Sequence, residues 1–218
     1  MGRFKDFLAR KSGIYDEFRD LTKLKRDGIV PSDDVLNGVR GGIVALQYKD
    51  GGTESAAEFA KRIAGVVPSI AYSPEILHTS ISTHPDCDLG VLVKAADVAS
   101  RKVRGVLNNN SIGYNEWLSN QGTGLYAGVP KPLFLMIAQE VVNSAREDGV
   151  ELRLPRMAHM TTNRYTQKIG PEGLKDFLKL MDEAPALGRL FPSDIVVGIY
   201  SLDPDGFNLD VKNRFGLY

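Results

Sequence analysis

The sequence predicts an α/β (α+β) fold: two pseudo-symmetric β-α-β-α-β lobes around a central cleft, behind an N-terminal helical extension. Three observations carry this. The chain runs through the same order of elements twice, about 82 residues apart. Strand-like segments alternate with amphipathic helical ones throughout. The composition, 43% hydrophobic and 25% charged over 218 residues, is that of an ordinary globular protein with core enough for both lobes.

The elements follow in order. Residues 3–26 read as helix, with Phe4, Phe7, Leu8, Tyr15, Phe18 and Leu21 near helical spacing and an interruption expected at Ser12-Gly13. Its mixed charges favour a helix packed across the body of the protein over one lying on a membrane surface. Residues 27–40 are rich in turn formers and read as a connector, so 1–40 is the extension and 41–218 the bilobal domain. The first lobe, about 41–120, contains strand 42–48, helix 54–66, strand 75–83, helix 89–104 and strand 112–118. The second, about 121–218, contains strand 124–129, helix 132–148, strand 156–165, helix 171–182 and strand 194–202. Asp203-Pro204-Asp205-Gly206 is a hairpin signal that leads into a last strand over 207–215.

Several function classes are excluded or disfavoured. With 27 basic and 27 acidic residues there is no net field to draw in long nucleic acid, though a small phosphate ligand needs none. Cys87 is the only cysteine, which rules out an internal disulfide and any multi-thiolate zinc site. No apolar run approaches the roughly 18 residues that span a bilayer. The first residues lack the apolar core of a signal peptide, and Asp6 stands where a myristoylation motif wants Ser or Thr. The expectation is a cytoplasmic protein with no membrane association; the oligomeric state is not legible.

The chemistry lies in the histidines, of which there are three: His78, His84 and His159. His78 and His159 fall on corresponding strands of the two halves, and each is followed two residues later by a hydroxyl, Ser80 or Thr161. Residues i and i+2 of a strand share a face, so each lobe would present an imidazole beside a hydroxyl. Two imidazoles near their ordinary pKa can divide general base and general acid work between them. Ser80 and Thr161 can then donate hydrogen bonds to a substrate oxygen on which charge builds. Neither a metal nor another cofactor is called for. The sequence does not fix which histidine is acid and which is base.

At these motifs the chain resembles the two-histidine (2H) phosphoesterase superfamily, which includes 2′-5′ RNA ligase-like proteins and cyclic phosphodiesterases. The second motif, His159-Met160-Thr161-Thr162-Asn163-Arg164-Tyr165, is similar to the longer family form, with Arg five residues after His and an aromatic next. The closing segment DIVVGIYSLDPDGFNLDVKNRFGLY has the family's strand–turn–strand look. The resemblance covers about 40–218. It implies metal-independent hydrolysis of a small RNA-derived phosphodiester, either a 2′,3′-cyclic phosphate or a 2′-5′ linkage, with ligation as the reverse. The implied partner is a nucleotide or RNA end. Thr162 departs from the family, which usually has a hydrophobic residue there.

Tyr126, Arg164 and Tyr165 are further candidates for substrate binding. Tyr126 lies between Gly124 and Gly128, which leave room for a ligand. Tyr165 shares the parity of the motif and is placed to stack on a base. Arg164 has the wrong parity for an ideal strand and would need a bulge to reach the cleft. Two other readings remain open: a nucleotide-binding module of the same fold without turnover, and a metal hydrolase using His78, His84 and His159. His84, just before Pro85, otherwise reads as a loop residue.

Overall fold

The computed structural model describes residues 2–49, 51–85, 88–104 and 111–218; Cys87 lies outside them. Among the described residues no helix is long and apolar enough to cross a membrane.

The chain opens with α1 (Gly2–Arg19), α2 (Thr22–Asp27) and α3 (Asp33–Asn37). Helix α1 does not break at Ser12-Gly13. A Cβ at Gly13 would meet nothing within 4 Å, so this glycine faces open space and costs only helix propensity. Phe7, Lys11 and Tyr15, four residues apart, form its buried stripe. The break comes at Asp20, whose carboxylate accepts from the Thr22 N–H at 3.0 Å. After α2 the chain turns through Gly28 at φ +79°, where a Cβ would lie 2.0 Å from the Ile169 carbonyl oxygen; only glycine fits. The expected connector therefore contains the end of α2, the short helix α3 and the first residues of a strand.

Nine strands follow among the described residues: β1 (Val39–Tyr48), β2 (Ser69–Ala71), β3 (Thr79–His84), β4 (Ile112–Ser119), β5 (Thr123–Pro130), β6 (His159–Tyr165), β7 (Gly188–Leu190), β8 (Pro192–Asp203) and β9 (Gly206–Gly216). Between them lie α4 (Gly52–Ala64), α5 (Leu89–Val103), α6 (Pro132–Glu147) and α7 (Lys175–Met181). One sheet has the order β3-β1-β8-β9 and the other β2-β6-β5-β4-β7. The three-residue strands β2 and β7 carry too little pattern to be read from sequence.

The repeated order of elements holds, but the division near residue 120 does not. The two halves exchange their closing strands: β4 joins the second sheet beside β5, and β8 joins the first beside β1. The triplets β3-β1-β8 and β6-β5-β4 thus correspond, each centred on the first strand of its half. A local turn drives the exchange. Asn120 accepts from the N–H groups of Gly122 and Thr123, both at 2.9 Å, and closes β4 and β5 into a tight hairpin.

The two motif strands lie in different sheets, so something must set the spacing between them. Thr79, the residue inside the first motif, points backward into the core. Its hydroxyl meets Tyr48 at 2.7 Å and also bonds Tyr114 of the other sheet, while Tyr48 and Tyr114 bond each other at 2.9 Å. All three are buried. Buried hydroxyls that lose a partner are costly. Thr79→Val, nearly isosteric, should lower unfolding free energy by about 1–2 kcal/mol in urea titration; an unchanged midpoint would show that the hydroxyl cluster holds nothing.

Candidate active site

Each motif histidine sits where its strand begins. His159 is the first residue of β6, and His78 immediately precedes β3, later than the expected start at 75. The turn at Ser73 delays it, with the N–H groups of Ile76 and Leu77 both bonded to the Ser73 carbonyl at 3.2 Å. The His78 Nδ1 then lies 2.7 Å from the Ile76 carbonyl. A carbonyl only accepts, so Nδ1 carries the proton in the neutral ring and Nε2 is left for chemistry.

Both strands then bulge at the same place, three residues after the histidine. On β3, Ser82 pairs with Val44 and Ser80 with Ala45, which leaves Ile81 as the extra residue. On β6, Asn163 pairs with Gly124 and Thr161 with Leu125, which leaves Thr162 extra. A bulge reverses the facing of every later residue. It therefore turns Thr83 to the face of Ser80, and Arg164 to the face of Thr161. The polar Thr162, unusual for the motif, is fully buried there; its hydroxyl accepts from the Trp117 indole at 2.9 Å and donates to the Gly124 carbonyl at 3.3 Å.

The result is a cavity of about 360 Å³ between the sheets, bordered by His78, Ser80, His159, Thr161 and Arg164 together. Thr83, Asp34, Tyr72, Tyr200 and Phe207 also line it, and sequence reading missed them. Phe207 stacks on Tyr72 with ring centroids 4.4 Å apart and lies 5.8 Å from the His78 ring. The alternating Phe207, Leu209 and Val211 after the hairpin turn were the one sequence signal for such an aromatic wall. Arg164 donates to Thr123 at 3.0 Å and pairs with Asp34 of α3 at 3.2 Å, while its Nε is buried without a partner among the described residues.

Two of the tyrosines are not in the cavity. Tyr126 and Tyr165 are both fully buried in the core behind the second sheet. The glycines flanking Tyr126 do make room, but for protein. A Cβ at Gly124 would come 2.3 Å from the Trp117 ring, and one at Gly128 would come 2.6 Å from the Ala158 carbonyl. The bulge that brings Arg164 forward sends Tyr165 back, where its hydroxyl meets Ser119 at 2.6 Å. His84 does not complete a three-histidine centre. Among the described residues no three His, Cys, Asp or Glu are grouped to hold a metal ion.

The electrostatics bias both imidazoles toward the neutral form. Burial lowers the pKa of His78, against the opposing Ile76 carbonyl. His159 is pushed down to about 4, first by burial, then by the Arg164 guanidinium and the His78 ring; the Met157 carbonyl opposes this. That His78 is felt at His159 agrees with the two rings bordering one cavity.

This arrangement of two antiparallel sheets with helices is shared with solved structures. One crystal structure titled simply phosphoesterase matches with a TM-score of 0.55 and 12% identity over 82% of this chain and 98% of that one. TT0787 of Thermus thermophilus matches at 0.56 and 14%, covering 81% and 97%. E. coli LigT complexed with NADP+ matches at 0.56 and 10%, covering 82% and 98%. No family model matches the chain, and no curated protein matches it in sequence. The likeness is one of fold.

A cation beside an imidazole disfavours the imidazolium, so Arg164→Ala should raise the pKa of His159. In imidazole NMR titrations of the free protein His159 should titrate at about 4, with His78 below the ordinary value of 6.5. A His159 midpoint at or above 6.5, or one unmoved by Arg164→Ala, would contradict this electrostatic picture.

Proposed function

We propose that the protein is a metal-independent phosphodiesterase of the 2H type. Its substrate is a small RNA-derived phosphodiester, a 2′,3′-cyclic phosphate or a 2′-5′ linkage. One observation carries the reading: two imidazoles from different sheets, each with a hydroxyl two residues on, border a single cavity together with an arginine. The volume of about 360 Å³ lies within the range of small-molecule sites. E. coli LigT, similar in fold, has been crystallised with NADP+, ATP and 3′-AMP, which supports a nucleotide as occupant.

In-line displacement at phosphorus places the attacking and leaving oxygens on opposite sides. That geometry suits one proton-transfer group per sheet. His159, held neutral by burial and by the Arg164 guanidinium beside it, acts as the base and takes a proton from water as the oxygen attacks. His78 acts as the acid. Its Nδ1–H is anchored on the Ile76 carbonyl, which favours the imidazolium, and its Nε2–H passes a proton to the departing ribose oxygen as the P–O bond breaks. At the end His159 is protonated and His78 neutral, and exchange with solvent resets both. Ser80 and Thr161 donate to the non-bridging oxygens, and Arg164 offsets the developing charge. The aromatic wall at Tyr72, Tyr200 and Phe207 offers a surface for the base.

Turnover of a 2′,3′-cyclic mononucleotide and a 2′-5′ dinucleotide tests this. His78→Ala or His159→Ala should each cost roughly 10²–10⁴-fold in kcat with the fold intact by circular dichroism. Ser80→Ala and Thr161→Ala should cost no more than roughly 10²–10³-fold. The double histidine variant should be little worse than the worse single one, because the pair acts as a unit. EDTA should leave turnover unchanged. Wild-type turnover by His159→Ala, on a substrate the enzyme demonstrably uses, would sink the proposal.

A further inference from the structure

The cavity at the histidines shares lining residues with two recesses. It shares Asp34 with one lined by Glu17, Asp20 and Asp33, against a single lysine, Lys23. It shares Ser80, Thr83 and His159 with the other, of about 630 Å³, between β3 and residues 151–157, which lead into β6. The charge there is reversed. Arg153, Arg156 and His84 line this recess, with Glu151 as the one carboxylate among the described residues.

The protein's own structure does not engage these arginines. Both are exposed, and neither guanidinium has an ion-pair or hydrogen-bond partner among the described residues. By contrast, Arg19 is paired with Glu116, Arg62 with Glu183 and Arg101 with Asp97. The wall that carries them is tied to the motif strand, with the Ser82 hydroxyl donating to the Arg153 carbonyl at 3.5 Å. A mononucleotide has one reacting phosphate, and Ser80, Thr161 and Arg164 already serve it. Two further unpaired guanidinium groups beside the same cavity exceed what it needs, and guanidinium is the side chain best matched to phosphate.

We propose that the preferred substrate is single-stranded RNA whose 3′ end carries the reacting phosphate, bound with one polarity. The phosphates upstream of that end run out over Arg153 and Arg156. The base of the terminal nucleotide, whose ribose carries the reacting phosphate, lies toward Asp34 and the aromatic wall, and its 5′ oxygen faces the arginines. The acidic recess repels a chain entering the wrong way. This rests on the phosphodiesterase reading and adds to it a substrate length and a direction.

The experiment compares a 2′,3′-cyclic mononucleotide with a pentanucleotide ending in the same cyclic phosphate, at about 50 and 200 mM salt. The wild-type kcat/KM should be greater for the pentanucleotide by roughly tenfold or more at the lower salt, with a steeper salt dependence. In Arg153→Ala/Arg156→Ala, checked for folding, the mononucleotide should be turned over as before and the length advantage should disappear. Losing two phosphate contacts should flatten the slope of log(kcat/KM) against log(salt) by roughly 1.4, at about 0.7 per contact on a single strand. Equal kcat/KM for the two lengths, or an equal loss on both in the variant, would overturn the inference. A second arm measures binding of a pentanucleotide 3′-phosphate by fluorescence anisotropy. Should neither cyclic substrate turn over, the phosphodiesterase reading fails, while arginine- and salt-dependent binding still supports the directional groove and its absence overturns it.

Discussion

Three hydroxyls inside the core, those of Tyr48, Thr79 and Tyr114, close a triangle across the junction of the two sheets. The active-site proposal depends on this junction. Proton transfer on both sides of a phosphorus atom requires two imidazoles at a fixed separation, and neither sheet alone can set it. Thr79 lies between His78 and Ser80, so the residue that fixes the sheet separation is flanked by two that meet the substrate in the proposed reaction. Behind the second motif the Trp117–Thr162 bond does similar work within one sheet.

The shared bulges explain why the two lobes are alike in backbone yet unlike in charge. Three residues after each histidine the chain slips by one, and the residue five after it turns into the cavity. In the first lobe that residue is Thr83, a neutral hydroxyl. In the second it is Arg164, a cation that helps hold His159 deprotonated. A symmetric backbone thereby gives two chemically distinct histidines. Asp34, carried in by the N-terminal extension, partly offsets Arg164 in the free protein, so the extension reaches the cavity rather than serving only as packing.

How much of this was legible in the sequence depended on how local the determinant was. The repeated order of elements, the pairing of His78 with His159 and the hydroxyls at i+2 are local patterns, and they were readable. The exchange of β4 and β8 was not, because it follows from hairpin closure at Asn120-Gln121-Gly122, a loop that breaks the apparent halves. Strand parity failed at one residue for a single reason. Counting by twos from His159 puts Tyr165 in the cleft and Arg164 behind it, and one bulge at Thr162 reverses both. Tyr126 was misread because Gly124 and Gly128 do leave space, and Trp117 and Ala158 occupy it. The aromatic wall stayed hidden because Tyr72 lies far along the chain from the hairpin that carries Tyr200 and Phe207. The position of α1 was half-visible. Its apolar stripe called for a surface to cover, but nothing in the sequence showed that the stripe's Tyr15 would bond the Gly128 N–H and the Ala158 carbonyl, one residue short of His159.

In the proposed reaction two histidines exchange protons with the attacking and leaving oxygens, and neither becomes bonded to phosphorus. The stereochemistry of a single turnover reads this directly. A 2′,3′-cyclic phosphorothioate of known configuration, opened in ¹⁸O-water, should give a product inverted at phosphorus, as one in-line displacement requires. Retention of configuration would mean two displacements through a phosphorylated side chain, and would contradict the two-histidine reaction.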